Sequence, residues 1–312
     1  MRRSLNSRGL ASLLLLLSPA FLHAAEKMEL QWKFKKGQVH KYLLKHREVR
    51  TVVVGDQKFE TTTASEYELQ WTVNDIDDKG VAVLEQKLTA LRVTSTSTSF
   101  EFQYNSARGN QTDDAYKKKL VNYYDQLRFA GYRVRLKPDG RIVEVQGFDK
   151  VLGETGPDQD IANYHAINLH DGSFAWFLQQ ALGTLPEATV AGGGKWKVPV
   201  EGKLAEAGGL TGQVEFTLQE KPVQAGERTC QELRLTGAQA LELDMKLFNN
   251  PLKGTLKTTK LAGAVRFDPK AGAVQNSEIQ IEMSGDLKIG GGEKPAAFKV
   301  SFQHALELER KP

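Results

Sequence analysis

The 312-residue chain carries 42 Lys and Arg against 38 Asp and Glu, a formal net charge of +4, with 40% hydrophobic residues and one cysteine, Cys230. That charge gives no broad basic surface for neutralising phosphates, so nucleic-acid binding is not expected. A lone cysteine excludes an internal disulfide, a thiolate zinc site and a CxxC redox centre.

The chain opens with Arg2, Arg3 and Arg8, an apolar run Leu10–Leu17 and a small-residue region Ser18–Ala25. This order predicts a signal peptide over residues 1–25, cleaved after Ala24 or Ala25. The run is too short for a bilayer span, which needs about 20 residues, and no later stretch approaches 18 uninterrupted apolar residues. The mature chain is therefore expected to be exported, to the periplasm or the extracellular space, with no transmembrane helix. Loss of the three arginines from the 42 leaves 39 basic residues against 38 acidic, near neutrality.

Beyond residue 26, apolar and polar residues alternate. Tyr67, Leu69, Trp71 and Val73 form one such run, and Tyr132, Val134 and Leu136 another. The pattern returns at Val214, Phe216 and Leu218, at Ile279, Ile281 and Met283, and at Phe298, Val300 and Phe302. Period two gives each strand one buried and one wet face, the mark of antiparallel sheets. Gly55-Asp56, Asp77–Gly80, Pro138-Asp139-Gly140 and Ala271-Gly272 supply the turns. Two segments are read as helices. One is capped by Thr112, carries the stripe Tyr116, Leu120, Tyr124 and Leu127, and ends at Gly131; the other runs from a Ser173 cap to Leu182 and is apolar nearly all round.

Val134–Val143 resembles Val265–Val274, and Leu69–Val73 resembles Val214–Leu218. The offsets of 131 and 145 residues differ by about one helix, as expected if only the first copy carries the Thr112–Ala130 segment. The expected fold is mainly β with a minor α component. Two similar antiparallel lobes with curved sheets, residues 26–147 and 195–312, are joined by a partly helical connector, 148–194.

The ordered motifs Gly37-Gln38-x-x-x-Tyr42-Leu43-Leu44, the Pro138-Asp139-Gly140 hairpin, Phe177–Pro186 and Gly194-Lys195-Trp196 accompany the signal peptide. Together they resemble an uncharacterised family of exported bacterial β-rich proteins, a domain of unknown function. The resemblance implies no catalytic residues.

Several polar clusters carry residue types capable of chemistry. His165 and His170, with Asp160 and Asp171, could hold a divalent metal from a loop, although a five-residue spacing fits neither one helix face nor one strand face. The alternative is a polar connector satisfying its own backbone. His304 falls in phase with Phe302 and Leu306 and should face inward; His40 and His46 share a phase and either meet across a cavity or sit on an edge. Asp75–Gly80 lacks the downstream Glu of a calcium loop and reads as a turn. There is no Gly-x-Ser-x-Gly, and Gly192–Lys195 lacks P-loop spacing.

Phe148, Tyr164, Phe174, Trp176 and Phe177 place five aromatics near the join of the lobes. Of these, Tyr164, Phe174, Trp176 and Phe177 are the candidate ligand-binding residues, since clefts between lobes are largely apolar; the same rings can instead cement the lobes together. The favoured expectation is a non-enzymatic exported module without a cofactor, binding an apolar small molecule, a lipid or an envelope protein. The alternatives are a metal-assisted hydrolase at the connector histidines and an outer-membrane β-barrel.

Overall fold

The computed structural model describes residues 27–147, 150, 171–203, 208–247, 250–290 and 295–312. Alternation becomes strands throughout. In the first half these are β1 (Val39–Val54), β2 (Gln57–Ile76), β3 (Ala82–Ser97), β4 (Glu101–Asn105), β5 (Tyr132–Leu136) and β6 (Ile142–Gln146). The second half contains β7 (Lys195–Lys203), β8 (Gly208–Leu218), β9 (Val223–Ala225), β10 (Arg228–Leu247), β11 (Asn250–Asp268), β12 (Ala273–Ile289) and β13 (Ala296–Lys311). Helix α1 (Ala115–Phe129) lies between β4 and β5, and α2 (Asp171–Leu182) precedes β7.

All thirteen strands join one antiparallel sheet, ordered β6-β5-β3-β2-β1-β13-β12-β11-β10-β8-β7, with β4 on β3 and β9 on β10. The two halves therefore share a continuous sheet, stitched where β1 pairs β13. Apart from β4 and β9, that order is the chain order cut once and rejoined: an up-and-down meander in which, among the described residues, β6 and β7 do not pair. Helix α2 touches both edge strands, β6 and β7, and also the central β12 and β13. A sheet whose two edges and middle all reach one helix must curl around it. The result is an unclosed barrel with α2 inside the gap.

The seam is tied by polar groups. The Gln179 side chain accepts from the β6 backbone at Ile142 N (2.7 Å) and donates to Gly140 O and Gly183 O. Ser277 Oγ donates to Ala181 O at 2.6 Å, anchoring the last turn of α2 on β12. Gly183 ends the helix at φ +67°, a left-handed conformation that side chains resist. Across one end of the barrel, Trp32 N donates to Pro138 O and Lys33 N to Gly272 O, so residues before β1 tie down the β5–β6 and β11–β12 hairpins. These are the two hairpins whose sequences match.

One apolar core runs through both halves. Trp71, Leu84, Tyr132, Val134, Phe267 and Ile281 are buried on the inner face, while the outward positions of β1, β2 and β3 carry Lys45, Glu66, Lys87 and Arg92. Burial of alternate side chains, at about 25 cal/mol per Å2 of apolar surface, is what holds so long a sheet in register.

Both helices were legible, but not their caps. The N-cap of α1 is Asp114, not Thr112: its carboxylate accepts from Tyr116 N (2.8 Å) and Lys117 N (3.0 Å), while the Thr112 hydroxyl reaches only Asp114 N. The buried stripe is Leu120, Tyr123, Tyr124 and Leu127; Tyr116 stays exposed, and the chain turns extended at Ala130, before Gly131. Helix α2 already includes Asp171 and Gly172, so Ser173 is a buried residue inside it and not its cap. Asp114→Ala is expected to lower the unfolding free energy by about 1 kcal/mol, read as a shift in the urea midpoint at unchanged m-value. A Thr112→Ala change costing as much would return the cap to Thr112.

Candidate functional site

Strands β1 and β13 are direct neighbours, with Glu48 opposite His304 and His46 opposite Leu306. Even-numbered residues of both strands point inward, where Tyr42, Leu44, Phe302 and Leu306 are core residues. Phase alone thus places His46, Glu48 and His304 on the inner face, beneath α2. The three donor groups lie within 4.8 Å of one another. His46 Nε2 and His304 Nδ1 are 3.0 Å apart, and Glu48 Oε2 stands 4.0 Å from His304 Nδ1. The other carboxylate oxygen of Glu48 faces Arg50 Nε at 3.4 Å.

Aromatic rings hold the cluster from above and beside. The Phe177 ring lies 4.7 Å from His46 and 5.4 Å from His304; Trp176 meets His304 edge-on, and Phe302 stacks on it at 5.8 Å. Glu48 and His304 are buried and His46 is half-buried. Burial, reinforced by His304, pushes the His46 imidazole down to about 3, against the pull of Glu48. Burial and then Arg50 lower His304 to about 4. Both rings are therefore neutral at pH 7, with nitrogen lone pairs available as acceptors or ligands.

His46 and Glu48 form the inner end of a cavity of ≈ 250 Å3 between α1 and the sheet. One wall is aromatic and apolar (Phe100, Phe102, Leu120, Tyr124); the opposite wall presents the hydroxyls of Thr61, Thr63, Ser65 and Ser95. Tyr104 donates to Asp125 Oδ1 at 2.7 Å and Arg128 donates to Ser106 O, fixing α1 over this space.

At the opposite end of β1 a second polar group gathers. His40 is 1% exposed, and neither ring nitrogen has a hydrogen-bond partner among the described residues. It lines a cavity of ≈ 500 Å3 with Arg228, Gln275, Arg310 and Lys311.

Of the residues expected to bind a ligand, Phe174 and Phe177 are buried against the core. Trp176 is half-buried, donates to Gln239 Oε1 (3.2 Å) and lines a groove of ≈ 300 Å3 between Ile142 and Val143 of β6 and Val198 and Val200 of β7. Asp171 is the first described residue of α2, and its carboxylate accepts from Gly147 N at 3.3 Å. Phe148, Tyr164, Asp160, His165 and His170 lie outside the described residues, as do the signal-peptide residues 1–25. His304 faces inward as its phase requires. His46 does meet a histidine, but it is His304 and not His40, and neither His40 nor His46 is on a sheet edge, since β1 is central. Asp77 behaves as a turn residue, its Oδ1 accepting from Lys79 N and Val81 N. The His46–Glu48–His304 group was not legible: its members are split between strands over 250 residues apart, and only their shared inward phase hinted at it.

Residues 79–225 match a family of unknown function, DUF6263, a span that includes both helices but neither β1 nor β13. No curated protein matches the chain. Among solved structures it is similar to lipovitellin, in a structure of that protein's lipid–protein interactions, with TM-score 0.46 and 13% identity over 90% of this chain. The chain spans only 26% of the lipovitellin chain. An outer membrane channel from Pseudomonas putida F1 aligns at TM-score 0.22 and 9% identity, covering 90% of this chain and 97% of the channel. OccK5 from Pseudomonas aeruginosa aligns at 0.23 and 6%, covering 89% and 99%.

Proposed function

We propose that this protein is an exported, non-enzymatic module that holds a small amphipathic molecule in the cavity between α1 and the sheet. The observation that carries the reading is the division of that cavity into an aromatic wall and a hydroxyl wall, with a polar end at His46 and Glu48. Such a space favours a molecule with one apolar and one hydrogen-bonding side, because the hydroxyls, of which Thr63 and Ser95 already pair at 3.2 Å, keep spare lone pairs to accept from it and each ring face excludes water. Its ≈ 250 Å3 exceeds the roughly 150 Å3 known to take up benzene, so a single ring with a short polar substituent is the right scale. Export rests on the signal-peptide pattern of residues 1–25.

A membrane-embedded barrel fits less well. The lipid-facing band of such a barrel is apolar, whereas the outward positions here carry the ion pairs Lys45–Glu307 and Arg92–Glu66.

The test uses p-cresol, one ring with a small polar substituent, as a probe of the cavity, with binding read by isothermal titration calorimetry. Wild-type protein is expected to bind it saturably at one site, and Thr63→Phe, which places a ring into the space, to weaken binding about tenfold or more with an unchanged circular-dichroism spectrum. Equal binding by the two proteins, or none by the wild type, would overturn the assignment.

A further inference from the structure

We propose that His46, Glu48 and His304 bind one divalent transition cation, of the Zn2+ class, at the inner end of the α1 cavity. Two imidazole nitrogens and one carboxylate are a donor set suited to Zn2+ and its neighbours, not to Ca2+ or Mg2+, which prefer oxygen alone. Geometry agrees. Nitrogens held about 2.1 Å from a common ion stand about 3.0–3.4 Å apart at bond angles between 90° and 110°. His46 Nε2 and His304 Nδ1 are already 3.0 Å apart. Glu48 Oε2 is 4.0 Å from His304 Nδ1 and all three donors lie within 4.8 Å of one another, so the carboxylate closes in by at most about 1.4 Å, within reach of a side-chain rotation, to complete the set.

The surroundings hold these groups in place. Phe177 and Phe302 clamp the two rings, and Arg50 holds the carboxylate by its other oxygen. Held ligands of this kind lose little freedom on binding. In the metal-free protein one imidazole donates its N–H to the other; on binding, that proton moves to the far nitrogen of its own ring, so both facing nitrogens coordinate without a net change in charge. Three protein ligands leave a position open. Because His46 and Glu48 line the cavity while His304 lies behind them, the open position faces the cavity. The inference does not depend on which molecule the cavity holds.

Titration of chelator-treated protein with Co2+ is the direct test. One equivalent is expected to bind, with visible d–d absorption that Zn2+ abolishes by competition. His304→Ala should weaken binding on the order of 100-fold, and the isosteric Glu48→Gln, which keeps the packing, about tenfold with an altered spectrum. The proposal is overturned if the wild type binds neither Co2+ nor Zn2+ stoichiometrically, or if both variants bind like the wild type with the same spectrum. Probe binding in the cavity is read separately with p-cresol, so failure of one assignment leaves the other standing.

Discussion

Trp71→Ala is expected to lower the unfolding free energy by about 3–5 kcal/mol, the largest single-residue loss anticipated in this molecule. Trp71 is fully buried on β2 and packs against Tyr42, with ring centroids 5.0 Å apart, and against Trp32 at 6.5 Å. It joins strands β1 and β2 to the segment that closes the barrel end. Its indole N–H also donates to Gln86 Oε1 at 2.7 Å, deep in the core on β3. The Gln86 amide nitrogen already lacks a partner among the described residues, so losing Trp71 leaves the entire amide unsatisfied in an apolar setting. The double variant Trp71→Ala, Gln86→Leu should then be less destabilised than the sum of the single variants by about 1–2 kcal/mol, since it removes the orphaned amide. Guanidinium unfolding of all four proteins measures both quantities. A loss below about 1 kcal/mol for Trp71→Ala would mean that this part of the core is not packed as described.

The second large effect is a pH dependence centred on His40. Burial, and secondarily the Arg310 charge, hold its imidazole down to about 4 from an ordinary 6.5. Lys41, Arg228 and Lys311 line the same cavity. A histidine depressed in the folded state destabilises it in acid. Above 6.5 neither state is protonated and the effect is silent. As pH falls below 6.5 the unfolded chain takes up a proton that the folded chain refuses, at up to about 1.4 kcal/mol per pH unit, until the folded-state value is passed. Between pH 6.5 and 4 the loss attributable to His40 is about 3 kcal/mol. Carboxylates also titrate there, so the readout is the difference between wild type and His40→Phe, whose ring fits beside Trp32 and Phe34. That difference should move by about 3 kcal/mol in favour of the variant over this range. A constant difference would show that His40 is hydrated and titrates normally.

What could be read directly from the residues was whatever has a local cause. Tyr67, Leu69, Trp71 and Val73 alternate because the two faces of β2 meet core and water, and that signal lies within seven residues. Inward phase likewise gave His304 its direction. The helices were visible from their stripes, yet the cap of α1 was not: Asp114 and Thr112 are both acceptable caps, and only the completed turn decides which oxygen reaches Tyr116 N and Lys117 N. The site lay beyond reach for a different reason. Bringing His46 and Glu48 against His304 requires β1 to pair β13, and no pattern within either strand names its partner. The rings of α2 posed the same difficulty. Phe177 reads as apolar from its neighbours, but that it rests on two histidines follows only from where the curled sheet places them.

That β1–β13 pairing also has a consequence for how the molecule is made. Synthesis delivers β1 long before β13, so one edge of β1, thirteen residues of which later pair with β13, waits open at the margin of a half-built sheet while the remaining strands emerge. Until the last strand arrives, the nascent chain presents a ready template for another copy of itself, and closing that gap demands the longest-range contact in the fold. Truncation near the C-terminus should therefore damage the middle of the protein instead of trimming its rim.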